Sequence, residues 1–335
     1  MAIKFIRNTF YASVYGTGAY KLTLLFGVPL YHLYHQLSTD TQESPIFTHT
    51  QGTYVAVSGC TDGIGKALTL EFARRGYGAY LLARNFEKLD NLQNELKQLT
   101  PANLSPPSPL TPKWLKIDFS KASLEEYREI FATPLQFEGS ERQSYQHGEV
   151  SIMVNNVGTG MTNRPVFECE PQEIETLIKT NIYSYVMCTK HFISEVKKYR
   201  EGKQSYIIYI SSIVADLRNP FSTAFYQASK LSNKVFAHTT YYPRSLSIDY
   251  LIIKPGWVST NLTKNRAISL STASQQEETQ AIFKSISFTR DTYAQWKHLA
   301  LILATNAIPQ PVYEGLFGYL KEQARVKREA TQGKQ

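Results

Sequence analysis

The chain has few cysteines and no long run of basic residues, and both absences narrow the classes of protein to which it can belong. Its 335 residues include three cysteines, Cys60, Cys169 and Cys188. They lack metal-ligand spacing and suggest no disulfide framework, so we expect reduced thiols and no bound metal. The net charge is +8. Without a basic cluster or a nucleic-acid-binding motif, however, we expect no nucleic-acid partner.

Formal charge is scarce near the N-terminus. Between residues 10 and 37 the single charged side chain is Lys21, and the first acidic residue is Asp40. This apolar, aromatic-rich segment is long enough to predict a membrane anchor, either one imperfect span or a re-entrant or interfacial hairpin. The alternatives are a pair of amphipathic helices packed on a partner protein and a targeting sequence.

A second apolar segment covers residues 296–320, with a turn at Pro309 and Pro311, and a tail of mixed charge follows it. It predicts amphipathic helices that lie on a membrane or cap the core. We therefore expect three parts: a membrane anchor or interfacial segment at residues 1–50, a central domain at residues 51–290, and C-terminal amphipathic helices with a charged tail at residues 291–335.

The central part alternates between apolar runs and amphipathic segments. Six runs between residues 52 and 258 are rich in β-branched and aromatic residues. This alternation predicts an α/β fold, a Rossmann-type doubly wound parallel sheet with helices on both faces. Ligands of such folds bind at the carboxyl ends of the strands. The unusual polar and glycine residues lie at those ends: residues 59–65, Arg84, Asp118, residues 155–158, Ser211, Ser212, Pro255 and Gly256.

The first of these strand ends carries the sequence SGCTDGIG at residues 58–65. A predicted strand precedes it, and apolar residues at helical spacing follow it. A strand, a glycine-rich turn and a helix in this order direct free backbone N–H groups toward a phosphate, whereas glycines alone could serve helix–strand packing. The spacing of Gly59, Gly63 and Gly65 is wider than the common dinucleotide-binding pattern.

A second group of residues has the chemistry of proton transfer. Tyr226 and Lys230 are four residues apart, which places them on one face of a helix. A nearby ammonium lowers the pKa of a tyrosine, which can then exchange a proton with a carbonyl oxygen or an alcohol. Ser211 and Ser212, at the end of the fifth predicted strand, offer a hydroxyl to hold a carbonyl. Asn181 either faces solvent or belongs to a water-holding relay to the lysine.

Together these motifs resemble the short-chain dehydrogenase/reductase family. The matching motifs, in the family's order and approximate spacing, are the glycine loop, NNVG at residues 155–158, Asn181, ISS at residues 210–212, YQASK at residues 226–230 and PGWVST at residues 255–260. Within the family, TDGIGK at residues 61–66, NNVG and the apolar N-terminal segment resemble the membrane-bound 17β-hydroxysteroid dehydrogenase and very-long-chain 3-oxoacyl-CoA reductase group.

The resemblance implies roles for the matching residues. The implied catalytic residues are Tyr226 as general acid, Lys230 as the group that lowers its pKa, Ser212 as the group that orients the carbonyl, and Asn181 as support for a proton relay. The implied cofactor-binding residues are Gly59, Thr61, Asp62, Gly63, Ile64, Gly65, Asp118, Asn155, Tyr226, Lys230, Pro255, Gly256, Val258 and Thr260. The stretch between Ser212 and Tyr226 is one residue longer than the common form, so Ser211 remains an alternative to Ser212.

The end of the second predicted strand bears on the cofactor. Arg84 stands there, followed by Asn85, and no acidic residue accompanies them. An acid would bond the adenosine 2′-hydroxyl and repel a 2′-phosphate, whereas a guanidinium suits the phosphate. We therefore expect Arg84 to bind NADP(H), with reduction as the usual direction. The alternative for Arg84 is a surface salt bridge.

The resemblance implies an NADP-dependent oxidoreductase that reduces a ketone on a lipid-like substrate, either 3-oxoacyl-CoA in fatty-acid elongation or a 17-ketosteroid. The polar residues 261–290 are expected to form a lid over it. Membrane lipid, and a homodimer or a membrane protein complex, are the expected partners. The endoplasmic reticulum membrane is the expected location, with the mitochondrial inner membrane as the alternative. A second hypothesis is an accessory subunit of a large membrane assembly, with reduced or no turnover.

Overall fold

The computed structural model of the chain describes residues 45–50, 52–99, 111–131, 149–160, 166–217, 224–286 and 289–332. The strands within these ranges are β1 Tyr54–Ser58, β2 Gly78–Ala83, β3 Lys113–Lys116, β4 Val150–Asn155, β5 Ser205–Ile210, β6 Ile248–Ile253, β7 Trp257–Val258, β8 Thr272–Ala273 and β9 Asp291–Thr292. The α-helices within the same ranges are α1 Pro45–Thr50, α2 Gly63–Arg74, α3 Phe86–Gln98, α4 Leu124–Glu129, α5 Pro171–Ile178, α6 Ser184–Tyr199, α7 Ala224–Thr239, α8 Gln275–Ser285, α9 Trp296–Ala307 and α10 Gln310–Gln332.

The main sheet is parallel throughout. Its seven strands lie in the order β3-β2-β1-β4-β5-β6-β9, and every neighbouring pair runs parallel. The strand order reverses between β1 and β4, which leaves a crevice at the carboxyl ends of these two strands. This arrangement confirms the predicted α/β fold of the Rossmann type. Strands β7 and β8 form a separate parallel pair.

Two apolar layers cover the two faces of the sheet. In β5, Ile208 and Ile210 point into one layer, and Ile207 and Tyr209 point into the other, as the alternation of side chains along a strand requires. Helices α2, α3 and α8 pack on the first face, and α4, α6 and α7 pack on the second. Because both faces are covered, central strands are buried along their whole length. The continuous apolar runs of the sequence reflect this burial.

Two elements differ from the sequence prediction. The main sheet has a seventh strand, β9, in which Asp291 and Thr292 pair with Ile252 and Ile253. Two polar residues carry no strand signal, so the six predicted strands did not include it. The single long helix predicted over residues 171–199 is also interrupted, because a π-helical turn, Lys179–Tyr183, separates α5 from α6.

Only a small part of residues 261–290, which were expected to form a lid, borders the cleft. Helix α8 lies within these residues, but it packs against α2 in the core, and Ile282 is completely buried. A capping box between Ser274 and Glu277 fixes the start of this helix. The part that borders the crevice is the 3₁₀ turn Asn261–Thr263, which lies ahead of β8.

The two ends of the described chain bear on the predicted extensions. In α1, the ring of Phe47 stacks on Phe283 with the centroids 5.6 Å apart, so the core includes residues ahead of position 51. Helices α9 and α10 meet at Ile308 and Pro309, where the sequence predicted a turn. None of the helices in the described ranges has both the length and the apolar character needed to cross a bilayer. The anchor predicted at residues 10–37 lies outside the described residues.

Candidate active site

A cleft of about 530 Å³ lies at the carboxyl ends of the central strands. The predicted residues that line it are Gly59, Thr61, Asp62, Gly63, Ile64, Arg84, Asp118, Ser212, Tyr226, Lys230, Pro255, Gly256, Val258 and Thr260. Ser211 lines it as well, whereas Gly65, Asn155 and Asn181 are not among its lining residues. The fold therefore brings both predicted groups, the glycine loop and the tyrosine–lysine pair, to a single cleft.

Two positions of the glycine loop that line the cleft, 59 and 63, require glycine because of their backbone geometry. Gly59 and Gly63 have φ angles of 65° and 55°, which residues other than glycine rarely adopt. A Cβ on Gly59 would lie 3.0 Å from Val157 Cα, and one on Gly63 would lie 3.0 Å from the Thr260 methyl. Asp62 caps α2 by accepting a hydrogen bond from the Gly63 N–H at 2.7 Å. The loop thus presents bare backbone and a helix N-terminus to the cleft, an arrangement that suits a phosphate.

Asn156, which the sequence analysis did not single out, holds the glycine loop in place. Its side-chain amide donates to the carbonyl oxygens of Ser58 and Gly59, at 3.0 Å each. The Ser58 hydroxyl accepts a hydrogen bond from the Asn156 backbone N–H at 2.9 Å. Gly65 approaches the same amide so closely that a Cβ would overlap it. Gly65 therefore serves the packing of α2 against this amide rather than the lining of the cleft.

The neighbouring Asn155 points away from the cleft. It is the last residue of β4, and its side chain is buried and donates to the Thr189 hydroxyl at 3.0 Å. Successive side chains of a strand point to opposite sides, so the two asparagines of NNVG cannot share one environment. Asn156, and not Asn155, lines the cleft.

The far end of the cleft carries both signs of charge. Arg84 and Lys88 are exposed there beside Asp118, and Asn85 caps α3 by accepting from the Lys88 N–H at 2.9 Å. Burial opposes the ionisation of Asp118, but hydrogen bonds from Ser120 and the charge of Arg84 lower its pKa below the ordinary value. Lys88 adds a second cation beside Arg84. It is the third residue of α3, where no sequence motif marked it.

The proton-transfer residues meet in the middle of the cleft. The Tyr226 hydroxyl lies beside the Ser212 side chain, whereas the Ser211 hydroxyl donates to the backbone carbonyl of Lys230 at 2.7 Å. Burial raises the pKa of Tyr226, and the neighbouring Ser212 side chain partly offsets this rise. The phenol is therefore protonated at neutral pH and has a proton to donate.

Lys230 lies behind the tyrosine and is almost completely buried. Its Nζ is 5.9 Å from the centroid of the Tyr226 ring, donates to the Ile210 carbonyl at 3.1 Å and lies 3.5 Å from the Tyr185 hydroxyl. Burial lowers the pKa of Lys230 to about 8, so the ammonium still predominates at neutral pH. A Cβ on Gly158 would lie 3.3 Å from Nζ, so a glycine here leaves room for the lysine head group.

Asn181 lies in the π-helical turn between α5 and α6. Such turns are frequent at functional sites. Its amide donates to the Thr159 carbonyl at 2.9 Å and to the Ser229 hydroxyl at 3.1 Å, and its oxygen accepts from the Thr159 N–H at 2.8 Å. Thr159 lines the cleft, and Ser229 precedes Lys230 on α7. Asn181 thus ties the loop after β4 to the helix that carries the lysine.

A buried histidine of α9, His298, packs against the PGWVST segment. The His298 ring leaves no room for a Cβ on Gly256, and its Nε2 lies 3.3 Å from the Trp257 carbonyl. Its Nδ1 is 3.6 Å from the carboxylate of Glu278, which is completely buried. Burial, with a smaller contribution from the charge of Glu277, raises the pKa of Glu278 to about 8. The Glu278 carboxyl is therefore mostly neutral at pH 7.

We expect Glu278→Gln to stabilise the protein increasingly as the pH rises. The folded state raises the pKa of Glu278 from 4.5 to about 8, so stability present below about pH 4.5 is lost as the pH rises through 8. Glutamine keeps the shape without the ionisation. The gain in unfolding free energy should be small near pH 4.5 and reach about 5 kcal/mol near pH 8.5. Thermal unfolding of both proteins across this pH range measures it.

Glu277→Gln is the matched control for this prediction. Glu277 is adjacent in sequence but pairs with Lys297 at 3.1 Å, and the hydrogen bond from the Ser274 backbone lowers its pKa. Its removal breaks this pair and leaves Glu278 in place, so it should not reproduce the pH-dependent gain expected for Glu278→Gln. A Glu278→Gln curve that runs parallel to the unsubstituted protein would show that Glu278 ionises normally.

The cysteines take no part in the cleft. Cys60 and Cys188 are buried and Cys169 is partly exposed, and all three are free thiols. Burial raises the pKa of the Cys60 thiol to about 12, which keeps it unreactive. Within the described ranges, no group of three or more His, Cys, Asp or Glu side chains is arranged to hold a metal ion.

The strand order, the glycine loop at the reversal point and the cleft beyond it define a Rossmann-type dinucleotide-binding fold. Comparison with known proteins agrees: the sequence profile described as short chain dehydrogenase matches residues 138–270. The chain is therefore similar to the short-chain dehydrogenase/reductase family over this part of its length.

Three known proteins show where the similarity lies. Human 17-beta-hydroxysteroid dehydrogenase type 3 is 27% identical over 276 residues, which cover 81% of this chain and 80% of the human protein. Very-long-chain 3-oxoacyl-CoA reductase of Mycosarcoma maydis is 27% identical over 241 residues, which cover 71% of this chain and 62% of the Mycosarcoma protein. The structure of a short-chain dehydrogenase from Sphingobium yanoikuyae in complex with NADPH superposes with a TM-score of 0.58 at 19% identity, covering 77% of this chain and 97% of that one.

Proposed function

We propose that the protein uses NADPH to reduce a ketone on a lipid-like substrate, either a 3-oxoacyl-CoA or a 17-ketosteroid. The observation that carries this proposal is that Ser212 and Tyr226 lie together in the cleft, with the Lys230 amine buried behind the tyrosine. The names of the two similar proteins, a hydroxysteroid dehydrogenase and a 3-oxoacyl-CoA reductase, support the two substrate classes.

Each of the central residues has a task in this reaction. A nicotinamide cofactor supplies a hydride when it is bound. Ser212 holds the carbonyl oxygen through its hydroxyl, and Tyr226 donates its proton to that oxygen as the alcohol forms. Lys230 places a positive charge near the phenolate that is left, which lowers the pKa of the tyrosine at that moment. Asn181 supports the return of a proton by fixing the Thr159 carbonyl at the cleft wall.

The cleft has the features that a dinucleotide needs. Its volume of about 530 Å³ lies within the range of ligand sites. The glycine loop and the α2 N-terminus would hold the pyrophosphate, and Asp118 lies on the adenosine side. At the nicotinamide end stand the remaining proposed contacts: Pro255, Gly256, Val258 and Thr260. Of the two asparagines, Asn156 lines this cleft, so we assign it the cofactor role that the resemblance gave to Asn155.

Arg84 should decide between the two nicotinamide cofactors. We expect Arg84→Ala to weaken NADPH binding about 10- to 100-fold, because a hydrogen bond to a charged group contributes about 1.5–3 kcal/mol. NADH binding should change less than about threefold, since NADH lacks the 2′-phosphate. Fluorescence titration of each cofactor measures both affinities.

Arg74→Ala is the control for Arg84→Ala. Arg74 is also an exposed arginine, but it ends α2 and its guanidinium lies 3.4 Å from Glu71. Both affinities should stay unchanged in this variant. An equal loss of NADPH and NADH affinity in Arg84→Ala would contradict a role in recognising the phosphate.

The experiment that tests the proposed function is NADPH oxidation by the full chain in detergent. A long-chain 3-oxoacyl-CoA and a 17-ketosteroid are compared as substrates, with the corresponding alcohols as controls. Turnover with one of them supports the proposal and selects its substrate class. NADPH binding without turnover of either contradicts the substrate assignment. No NADPH binding contradicts the enzyme as a whole and leaves the accessory subunit as the remaining hypothesis.

We further propose that the protein is membrane-associated, at the endoplasmic reticulum or alternatively at the mitochondrial inner membrane. Helix α10 exposes Val312, Leu316, Tyr319 and Leu320, which recur at a spacing that places them on one face. Tyr313 is buried and attaches the start of this helix to the rest of the protein. Fractionation tests the proposal: carbonate-resistant sedimentation of the full chain with one organelle supports it, and recovery in the supernatant contradicts it.

A further inference from the structure

One carboxylate outside the described proton-transfer group has an unusual number of partners. Asp216 lies 2.6 Å from Lys234 Nζ and 2.6 Å from Lys254 Nζ. The Tyr293 hydroxyl donates to the same carboxylate at 2.8 Å. Burial opposes its charge, but Lys254 and Lys234 lower the pKa of Asp216. Asp216 is therefore ionised and bonded on both of its oxygens.

Asp216 and its partners belong to different elements that surround the cleft. Asp216 ends the 3₁₀ turn that begins at Ser212. Lys234 is one helical turn beyond Lys230 on α7, the helix that also carries the tyrosine. Lys254 directly precedes the PGWVST segment. One carboxylate thus joins the serine turn, helix α7 and the segment that lines the nicotinamide end of the cleft.

The same network extends to the edge strand. Lys254 Nζ lies 2.5 Å from Asp291, and the His238 Nε2 lies 3.1 Å from the same carboxylate. The backbone N–H of Lys254 donates to the Thr292 carbonyl at 2.8 Å. Strand β9 is therefore attached through Lys254. This attachment explains why Asp291 and Thr292 form a strand although polar residues carry no strand signal.

We propose that Asp216 is a positioning residue: through its two lysines, its carboxylate sets the relative positions of the serine turn, helix α7 and the PGWVST segment. The inference rests on the proposed reductase function for its kinetic consequence. Its structural consequence does not depend on that function. Small displacements of reacting groups reduce rates steeply, since an error of about 1 Å can lower turnover about 100-fold.

The test compares Asp216→Asn with Asp216→Glu in the full chain. Asparagine keeps the shape but removes the charge, while glutamate keeps the charge on a longer stem. Hydrogen–deuterium exchange, without cofactor, should become faster in Asp216→Asn both at residues 212–217 and at residues 254–258. With substrate, kcat should fall about 10- to 100-fold while the KM for the ketone changes less than about threefold. Asp216→Glu should recover part of both effects.

Glu149→Gln is the matched control. Glu149 forms a comparably buried pair with Lys113 at 2.7 Å, but at the opposite end of the sheet, where β3 and β4 begin. It should leave exchange at residues 212–217 and 254–258 unchanged. If Asp216→Asn does not fold, Lys234→Met replaces it and should loosen residues 212–217 alone.

The outcomes distinguish the positioning role of Asp216 from the proposed reductase function. Unchanged exchange at residues 254–258 in Asp216→Asn overturns the positioning role, whatever the activity. Faster exchange at both segments, with a fall in kcat that Asp216→Glu partly restores, supports it. If the unsubstituted protein turns over neither substrate, the proposed function fails while the exchange result still decides the inference. A fall in the midpoint of thermal unfolding without faster local exchange means a general structural role and contradicts the proposal.

Discussion

Replacing Tyr226 by phenylalanine is expected to lower the kcat of ketone reduction about 10³-fold or more, with NADPH affinity changed less than about threefold. The substitution removes one hydroxyl and keeps the ring. That hydroxyl lies beside Ser212 in the cleft, and a positioned proton donor contributes about 10²- to 10⁴-fold. Steady-state kinetics and a cofactor titration measure the two effects separately.

Tyr242→Phe is the control for the chemistry of the change. The Tyr242 hydroxyl is hydrogen-bonded to the Tyr209 hydroxyl at 2.9 Å, in the apolar layer on the side of α7 rather than in the cleft. Its loss should leave kcat within about twofold of the unsubstituted value. A Tyr226→Phe protein that retains a tenth of the original kcat would show that another group or water donates the proton.

The fold was predictable where burial is continuous along the chain. Strands such as β4 and β5 are covered on both faces, so each residue must be apolar or small, and the sequence shows this directly. Strand β9 was not predictable, because Asp291 and Thr292 are polar and lie at the edge. What places them in the sheet is a lysine 37 residues earlier in the chain, Lys254, and local patterns do not contain that contact.

The site was predictable at the level of motifs but not at the level of single contacts. The NNVG motif marks the end of β4, yet whether Asn155 or Asn156 faces the cleft depends on the exact end of the strand. Asn156 acts on the glycine loop through two carbonyl oxygens, which no spacing rule reveals. His298 and Glu278 meet beneath Gly256 from separate helices, so their proximity is a property of the tertiary fold.

Two buried lysines, Lys230 in the cleft and Lys254 behind it, differ in their counter-charges. Lys230 and Lys254 have similarly low exposures of 4% and 5%. Lys254 is paired with Asp216 and Asp291 at 2.6 and 2.5 Å. Among the described residues, no carboxylate lies within ion-pair distance of Lys230, whose Nζ has the Ile210 carbonyl and the Tyr185 hydroxyl as its partners. The carboxylates offset the cost of burying Lys254, whereas nothing comparable offsets the burial of Lys230. Removing the two charges should therefore change the free energy of unfolding in opposite directions.

We expect Lys230→Met to abolish turnover and to stabilise the cofactor-free protein. Burial lowers the pKa of Lys230 from 10.5 to about 8, so stability present above about pH 10.5 is lost as the pH falls through 8. Methionine has a similar length and no charge, and the Tyr185 hydroxyl still donates to the Ile210 carbonyl at 2.7 Å. The gain in unfolding free energy should be about 2–3 kcal/mol at pH 7 and should shrink as the pH rises toward 10.

Lys254→Met supplies the contrast, because the same change there leaves two carboxylates without their buried cation. It should destabilise the protein by about 3 kcal/mol or more at pH 7. Thermal unfolding at pH 7 and above pH 9 measures both variants, and NADPH oxidation measures the loss of turnover in Lys230→Met. Destabilisation by both substitutions would contradict the argument, since it would mean that Lys230 already has a compensating charge in the cofactor-free protein. If Lys230→Met stabilises the protein while Lys254→Met destabilises it, the buried charge of Lys230 lowers stability. The positive charge beside the tyrosine then serves the reaction and not the fold.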